Sequence, residues 1–330
     1  MDPNQAAVLA LTVIQIPSVI CAIYIFVQLF QRTSSLRRLQ NHLFIYLLIV
    51  ATWNIIIDLP NSQVYFWTGT VSISTPWFCR FWNMSYLYSA ALNRFLMAFM
   101  AIERHFLVFR PHFYHTHRSR VLFHYTPLVF MFSLIFIYLL IANVFVSCPG
   151  SAFIYSIFMC GYTCAVRSTD LGTIYCWVFV FIPTTMTIIG CVLLPVRFII
   201  QKRTLQRIQW HRARKMIVQM SIIAGTYSIC WLPYTIVLQL DIAGIVPFFD
   251  PNMGRFLALM PYVTSLLTPF IILHTMHDET NLALVERIKH RFFPRRQQKI
   301  RPVVNSVEKQ QDSANREKHT ATNRNKIGES

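Results

Sequence analysis

Long stretches without a charged side chain restrict the fold of this sequence more than any other feature. Six stretches contain no Asp, Glu, Lys or Arg, and they cover 6–31, 39–57, 121–166, 171–196, 216–240 and 256–277. A helix needs roughly 20 apolar residues to cross the bilayer core, which is about 30 Å thick. Most of the stretches reach that length, and they lack the polar and apolar alternation of membrane strands. The sequence therefore predicts an all-α integral membrane protein.

Seven spans follow from these stretches. The run 121–166 is broken by Cys148-Pro149-Gly150, which leaves one span and one loop. A further span, 77–105, is interrupted by four charged residues. The predicted spans are 7–30, 41–60, 77–105, 122–147, 172–198, 216–240 and 256–276. We therefore predict a bundle of seven transmembrane helices.

The positive charge of the chain is unevenly placed. The formal net charge is +17, although only 13% of the residues are charged. Basic residues concentrate in the loops 31–40, 106–121 and 199–215 and in the segment after His277, while the opposite loops hold three. Cytoplasmic loops carry the excess of Lys and Arg in membrane proteins. We therefore predict a multi-pass plasma-membrane protein with its N-terminus outside and its C-terminus inside, and no nucleic-acid partner.

The chain after the last span divides into two parts. Residues 279–292 place apolar side chains such as Leu282, Val285 and Ile288 at helical spacing, with basic residues between them. This pattern predicts a short amphipathic helix on the inner membrane surface. The segment 293–330 is polar and basic, and we expect a disordered cytoplasmic tail.

The third span carries the most specific motif, Glu103-Arg104-His105. Arg104 follows Cys79 by 25 residues, and Pro111 follows Arg104 by seven. Three further motifs lie in the fifth, sixth and seventh spans, and they are Pro183, Cys230-Trp231-Leu232-Pro233 and Thr268-Pro269. Over residues 1–292 this combination resembles the rhodopsin-like family of G-protein-coupled receptors, in a divergent form of invertebrate type.

The resemblance implies a role for each motif. Arg104 would contact the G protein, and Glu103 would neutralise it in the inactive state, although such a pair can also be a simple interfacial anchor. Pro233 interrupts the backbone ladder of the sixth helix and would form its hinge. Trp231 would sense the ligand, or be a packed core residue whose N–H needs a partner. The remaining switch residues that the resemblance implies are His105, Pro111 and Pro269.

Several positions depart from the family pattern. Ala51 stands where the family has the aspartate of a sodium site, and Cys191 and Ile272 stand where it has tyrosines. The fourth span lacks the tryptophan that is common in the family. These departures predict an altered switching network.

Arg94 is the unusual residue of the third span. It lies ten residues before Arg104, about 15 Å into the membrane at ~1.5 Å per residue. A lone charge at that depth is costly, so a partner is expected. Asn54 is the candidate nearer in depth, and Asp58 is the candidate with the complementary charge. We predict that Arg94 points into the bundle and contacts one of them, as a structural or switching replacement for the missing sodium site.

Four cysteines lie at or near the predicted outer face, where oxidation is expected, and they are Cys79, Cys148, Cys160 and Cys164. Four cysteines allow three pairings. The resemblance implies that the third helix is tied to the outer loop at 148–164, so Cys79 pairs with Cys160 or Cys164. We favour Cys164, which leaves Cys148–Cys160. The loop itself is expected to form a β-hairpin.

The resemblance places a ligand pocket between this loop and Trp231. By family position its residues are Asn83, Tyr86, Leu87, Tyr175, Phe179, Tyr234, Leu238 and Tyr262. Amine receptors have an aspartate at the position of Tyr86, and opsins have a retinal-linking lysine at the position of Tyr262, so both ligand classes are disfavoured. The pocket is aromatic and weakly polar. Since a hairpin over the pocket is common in peptide receptors, we favour a small peptide.

The sequence thus predicts a receptor that transmits the binding of an extracellular ligand to an intracellular G protein. A chemosensory receptor for a small molecule is the alternative, and a transporter is disfavoured because no internal repeat appears. No motif of a membrane enzyme is present. We predict no catalytic residue, no cofactor and no metal site, and a lipid membrane and a G protein as partners.

Overall fold

The computed structural model describes residues 3–31, 39–114, 116–146, 153–161, 169–200, 207–242 and 259–274. Within these ranges all regular secondary structure is helical. The all-α class predicted from the apolar stretches is confirmed. Four predicted features lie outside the described residues, and they are the amphipathic helix at 279–292, the tail at 293–330, Cys148 and Cys164.

The described residues form a bundle of helices that we number in chain order. The first three are α1 (Pro3–Gln31), α2 (39–68) and α3 (Pro76–Phe109). They are followed by α4 (His117–Phe145) and α5 (169–200). The last two are α6 (Arg207–Ile242) and α7 (Leu259–His274). Short 3-10 turns lie at Pro111–Tyr114 and Phe158–Gly161.

The outward faces of the helices are apolar. Five described helices are long and apolar enough to cross a membrane, and they belong to α1, α2, α4, α5 and α6. The apolar α7 is shorter, and α3 has sufficient length with 34 residues but contains charged side chains. Large hydrophobic side chains such as Phe30 (76% exposed) and Ile229 (75% exposed) point away from the bundle. Such a surface is stable only in contact with lipid, because water would impose a large hydrophobic penalty.

Three helices contain a wider π turn directly before a proline. The turns Asn54–Asp58, Val121–Tyr125 and Tyr175–Phe181 end two residues before Pro60, Pro127 and Pro183. Proline lacks an N–H and its ring clashes with the carbonyl four residues earlier, so a local change of hydrogen-bond register accommodates it. These turns matter for the site, because each of them carries a polar or aromatic side chain into the bundle.

The central helix is α3, of whose residues 20 are buried. It packs against α2, α4, α5 and α6. It comes close to α5 at Gly190, where a Cβ built on the glycine would lie 2.8 Å from the Cβ of Ala101. Only a residue without a side chain fits at this crossing. The buried face of α3 therefore sets the positions of Arg94, Glu103 and Arg104.

Candidate functional site

The end of α3 near Cys79 is tied to the loop before α5 by a disulfide. Cys79 is bonded to Cys160, with a Cα–Cα distance of 5.9 Å. The predicted pairs Cys79–Cys164 and Cys148–Cys160 are therefore wrong.

Two hydrogen bonds explain why Cys160 is the partner of Cys79. Asn83 Nδ2 donates to the carbonyl of Met159 at 2.8 Å, and Val71 N donates to the carbonyl of Tyr155 at 3.1 Å. These bonds hold the loop over α3 with Cys160 next to Cys79.

The described part of this loop, 153–161, is a compact turn and contains no strand. Ile154 N donates to the carbonyl of Cys160 at 3.1 Å, which closes the turn on itself. Met159 and Cys160 have positive φ values of 54° and 58°, and this left-handed conformation ends any extended pairing. Within these residues the expected β-hairpin is replaced by a tight turn.

The eight residues assigned to the pocket are all buried and belong to one apolar cluster, apart from the amide Asn83. Tyr175 stacks on Phe179 with 5.7 Å between ring centroids, and its hydroxyl donates to the carbonyl of Leu87 at 3.2 Å. The ring centroids of Tyr86 and Tyr262 lie 6.2 Å apart. The sequence-derived positions thus converge on one region between α3, α5, α6 and α7. Their role in ligand binding stays a prediction.

Asp58 is held by two serines of α3. Ser85 Oγ donates to its carboxyl group at 2.9 Å and Ser89 Oγ donates at 3.4 Å. Trp53 Nε1 donates to Ser85 Oγ at 2.8 Å, which extends the chain of hydrogen bonds along α2. Asn54, at the start of the same π turn, donates to Ser265 of α7 at 3.2 Å. This network joins α2, α3 and α7, and the sequence analysis did not identify its serines.

Arg94 points into the bundle, as predicted, and is 1% exposed. Its Nη1 donates to the carbonyl of Phe179 at 3.3 Å, and its guanidinium carbon lies 4.2 Å from the centroid of the Trp231 ring. Its electrostatic neighbours are the phenol groups of Tyr175, Tyr227 and Tyr234. The predicted contact with Asp58 or Asn54 is therefore wrong.

The helical geometry of α3 explains this correction. Ser85, which binds Asp58, and Arg94 are nine residues apart, and at ~100° per residue they lie on opposite sides of the helix. Ser85 faces α2, whereas Arg94 faces α5 and α6. The carbonyl that Arg94 reaches belongs to the π turn Tyr175–Phe181, where the backbone register changes before Pro183.

Trp231 is the centre of an aromatic group on α6. Its ring stacks with that of Tyr227 and meets that of Tyr234 edge-on, with 5.7 Å between ring centroids in each pair. Its Nε1 donates to Thr264 Oγ1 of α7 at 3.3 Å, so the indole N–H has the partner that burial requires. Trp231 thus contacts α3 through Arg94 and α7 through Thr264. Pro233 lies two residues further along α6 and faces outwards.

The charged motif at the other end of α3 is buried. Glu103 is 0% exposed and Arg104 is 1% exposed. Glu103 accepts a hydrogen bond from Nδ1 of His124 at 2.5 Å, and His124 is also fully buried. The carboxylate is therefore paired with α4, not with the adjacent Arg104 as expected. The guanidinium of Arg104 lies over the ring of Phe44 on α2, with 5.1 Å to the centroid.

His124 is a site residue that the sequence analysis missed. It stands in the π turn Val121–Tyr125, inside a stretch without charged residues. The available signal is the depth of Glu103, because a buried carboxylate requires a partner at the same level. Burial, together with the charge of Glu103, raises the pKa of the nearby Tyr114 phenol above its ordinary value. This phenol therefore stays neutral beside Glu103.

The remaining predicted switch residues are distributed around this end. The Nε2 of His105 donates to the carbonyl of Gly190 at 3.1 Å and so joins α3 to α5. Pro111 begins the 3-10 turn after α3. Pro269 is buried in α7. Their roles in switching stay predictions.

These features define a class of protein: a multi-pass membrane protein with a bundle of apolar helices around a polar central helix. Residues 11–272 match the family described as 7 transmembrane receptor (rhodopsin family). The chain belongs to this family, which is a family of receptors and not of enzymes. Its resemblance to rhodopsin-like receptors, predicted from the motifs, is confirmed.

The chain also resembles part of a known receptor. A segment of 74 residues is 38% identical to the 5-hydroxytryptamine receptor of Lymnaea stagnalis. The match covers 21% of this chain and 14% of that receptor. The chain therefore matches a small part of the length of this relative.

Proposed function

We propose that the chain is a G-protein-coupled receptor in which ligand binding near the Cys79 end changes the position of α6 at the Arg104 end. The observation that carries this proposal is the contact of Arg94 with Trp231, 4.2 Å from the guanidinium carbon to the ring centroid. It joins α3, which holds Arg104, to α6, which holds the proline Pro233 two residues after Trp231. A ligand that favours one arrangement of this contact shifts the population of the two receptor states.

The orientation that we propose places the Cys79 end outside the cell. The disulfide Cys79–Cys160 supports it, because disulfides persist in oxidising compartments. The concentration of Lys and Arg in loops 31–40, 106–121 and 199–215 supports the same orientation. An epitope tag at the N-terminus should be accessible to antibody on intact cells, and a tag at the C-terminus only after permeabilisation. The reverse pattern would contradict this orientation.

The ligand proposed from the sequence is a small peptide. That preference comes from the hairpin expected over the pocket, which is a tight turn within the described residues 153–161. Its remaining support is the aromatic character of the group around Tyr86, Tyr175, Tyr234 and Tyr262, and no relative adds support to it. A second candidate is a small amine. Its support is the carboxyl group of Asp58, which is bound by serine hydroxyls, and the similarity of 74 residues to a 5-hydroxytryptamine receptor.

The test of receptor function is the substitution Arg104→Ala in cells that carry a G-protein activation sensor. We expect the ligand response or the basal signal to fall to background while surface expression is retained, because Arg104 is the proposed G-protein contact. Arg80→Ala is the matched control, since Arg80 is an exposed arginine at the other end of α3. Unchanged signalling in Arg104→Ala would contradict the proposal.

Cells that express the receptor are screened with a peptide library and, separately, with a library of small amines. The two screens separate the two ligand classes. A response to an amine that is lost in Asp58→Asn, but kept in Asn61→Asp, would assign the amine to Asp58. A peptide response that is insensitive to Asp58→Asn would favour the peptide. The chemosensory alternative requires a response to a small molecule that belongs to neither library.

A further inference from the structure

A groove of about 500 Å³ lies between α3 and α5 at the Arg104 end of the bundle. It is lined by His105 of α3 and by Leu193, Val196, Arg197 and Ile200 of α5. Its volume is within the ~300–1,000 Å³ that ligand pockets occupy. None of these residues has a role in the contact between Arg94 and Trp231.

The crossing of the two helices produces this groove. At Gly190 the backbones of α3 and α5 come so close that a Cβ would lie 2.8 Å from Ala101. His105 Nε2 is fixed to the carbonyl of the same glycine at 3.1 Å, so its ring closes the side of the groove that faces the crossing. The groove begins beyond this point and follows α5 from Leu193 to Ile200, where the helix ends.

The lining combines apolar walls with one cation. Leu193 (51% exposed), Val196 (47%) and Ile200 (74%) offer aliphatic surface. Arg197 is exposed in the last turn of α5, and its guanidinium lies 4.5 Å from the centroid of the Phe109 ring. The aromatic ring fixes the position of the guanidinium and leaves its N–H groups available for an anion.

We propose that this groove binds a single anionic phospholipid, with an acyl chain along Leu193 and Val196 and the phosphate at Arg197. The proposal rests on the orientation given above, in which the Arg104 end lies at the inner leaflet. That leaflet contains the anionic lipids of the cell membrane. An acyl chain matches aliphatic walls that face the membrane, and a phosphate matches the fork of a guanidinium.

The bound lipid would act on the contact between α3 and α5. It would bridge Arg197 of α5 and the His105 side of α3, one residue from Arg104. An occupied groove would therefore resist separation of the two helices at this end.

The test is native mass spectrometry of the full-length purified receptor in detergent with equal amounts of phosphatidylserine and phosphatidylcholine. We expect the wild-type chain to retain one phosphatidylserine in preference to phosphatidylcholine. Arg197→Gln should weaken this retention roughly tenfold, the effect of losing a charged hydrogen-bonding partner. Arg80→Gln is the matched control and should retain the lipid like the wild type, because Arg80 is an exposed arginine at the Cys79 end.

A second variant separates the groove from simple attraction to a surface arginine. Val196→Trp fills the groove and keeps Arg197, so it should also lose the retained lipid. Retention in Val196→Trp, equal retention in Arg197→Gln and wild type, or displacement of the lipid by the soluble headgroup glycerophosphoserine would each overturn the proposal. The measurement needs neither a ligand nor a G protein, so its failure is distinct from a failure of the proposed receptor function.

Discussion

The guanidinium carbon of Arg94 lies 4.2 Å from the centroid of the Trp231 ring, and this contact joins the middle of α3 to α6. Arg94 has a second anchor in the carbonyl of Phe179, 3.3 Å from its Nη1. Its Nε has no hydrogen-bond partner among the described residues. The buried carboxyl groups are engaged elsewhere, Asp58 with Ser85 and Glu103 with His124. The charge of Arg94 is therefore stabilised by a ring face, one carbonyl and the neighbouring phenol groups of Tyr175, Tyr227 and Tyr234, and by no carboxylate among the described residues.

We expect Arg94→Met to raise the thermal stability of the receptor. A cation over an aromatic ring contributes about 2 kcal/mol when desolvated, whereas removing an ion from water costs several kcal/mol. Replacement by an apolar side chain of similar length should stabilise the fold by ~1–4 kcal/mol. Thermal unfolding of the purified wild type and Arg94→Met in detergent measures this difference in stability.

Arg94→Lys is the control for charge in this experiment. Lysine keeps the positive charge but has no planar group to lie over Trp231, so it should unfold at a lower temperature than wild type. The melting temperature should be highest for Arg94→Met, intermediate for the wild type and lowest for Arg94→Lys. A melting temperature of Arg94→Met below that of the wild type would show that the arginine contributes net stability.

The disulfide between Cys79 and Cys160 gives a second prediction. Cys79→Ser and Cys160→Ser should each lower stability by ~2–5 kcal/mol, because the unfolded chain gains the entropy of an open loop. Their sequence separation is 81 residues, so the loop that the bond closes is long. Surface expression at 37 °C and thermal unfolding should both fall.

Cys164→Ser is the matched variant for this pair. We expect peptide mapping without reduction to recover Cys79 linked to Cys160 in the wild type and in Cys164→Ser alike. Recovery of Cys79 linked to Cys164 would contradict the structure and restore the pairing favoured by the sequence.

The sequence predicted the positions of buried groups better than their partners. The depth of Arg94 required that it point inwards, and it does. The predicted partner of Arg94 was wrong because depth along two helices does not specify which side of α3 a residue occupies. Ser85 and Arg94 face opposite sides of that helix. The serines that bind Asp58 were unidentified for a related reason: hydroxyl side chains are common on membrane helices and carry no charge signal.

The disulfide and His124 show a different limit. The spacing of cysteines leaves several pairings open. The choice of Cys160 depends on hydrogen bonds such as that from the Asn83 side chain to the carbonyl of Met159, which no sequence pattern encodes. His124 reaches Glu103 from a π turn whose register change rotates the following side chains. A regular 3.6-residue period cannot predict that rotation.

The buried pair of Glu103 and His124 gives a third prediction. His124→Ala leaves the carboxylate of Glu103, which is 0% exposed, without its partner. Removal of one member of a buried pair typically destabilises a protein by ~3–5 kcal/mol. Thermal unfolding should show this loss, and the double variant Glu103→Gln with His124→Ala should recover part of it because no unpaired carboxylate is then buried.

His117→Ala is the control for this pair, since His117 is an exposed histidine in the first turn of the same helix. Its substitution should leave the unfolding temperature within error of the wild type. Equal stability of His124→Ala and His117→Ala would show that the contact with Glu103 adds nothing to the fold.

The crossing of α3 and α5 at Gly190 gives the last prediction. A Cβ at this position would lie 2.8 Å from the Cβ of Ala101, which is far inside van der Waals contact. Gly190→Ala should therefore force the helices apart and destabilise the receptor by ~1–3 kcal/mol, as overpacking of a core typically does.

Gly225→Ala on α6 is the matched control, because no atom lies within 4 Å of the added Cβ there. Thermal unfolding of both variants, and of Gly190→Ala combined with Ala101→Gly, measures the effect. The double variant should recover most of the loss, since it removes the opposing methyl group. If the double variant is no more stable than Gly190→Ala alone, the close contact with Ala101 is not the cause.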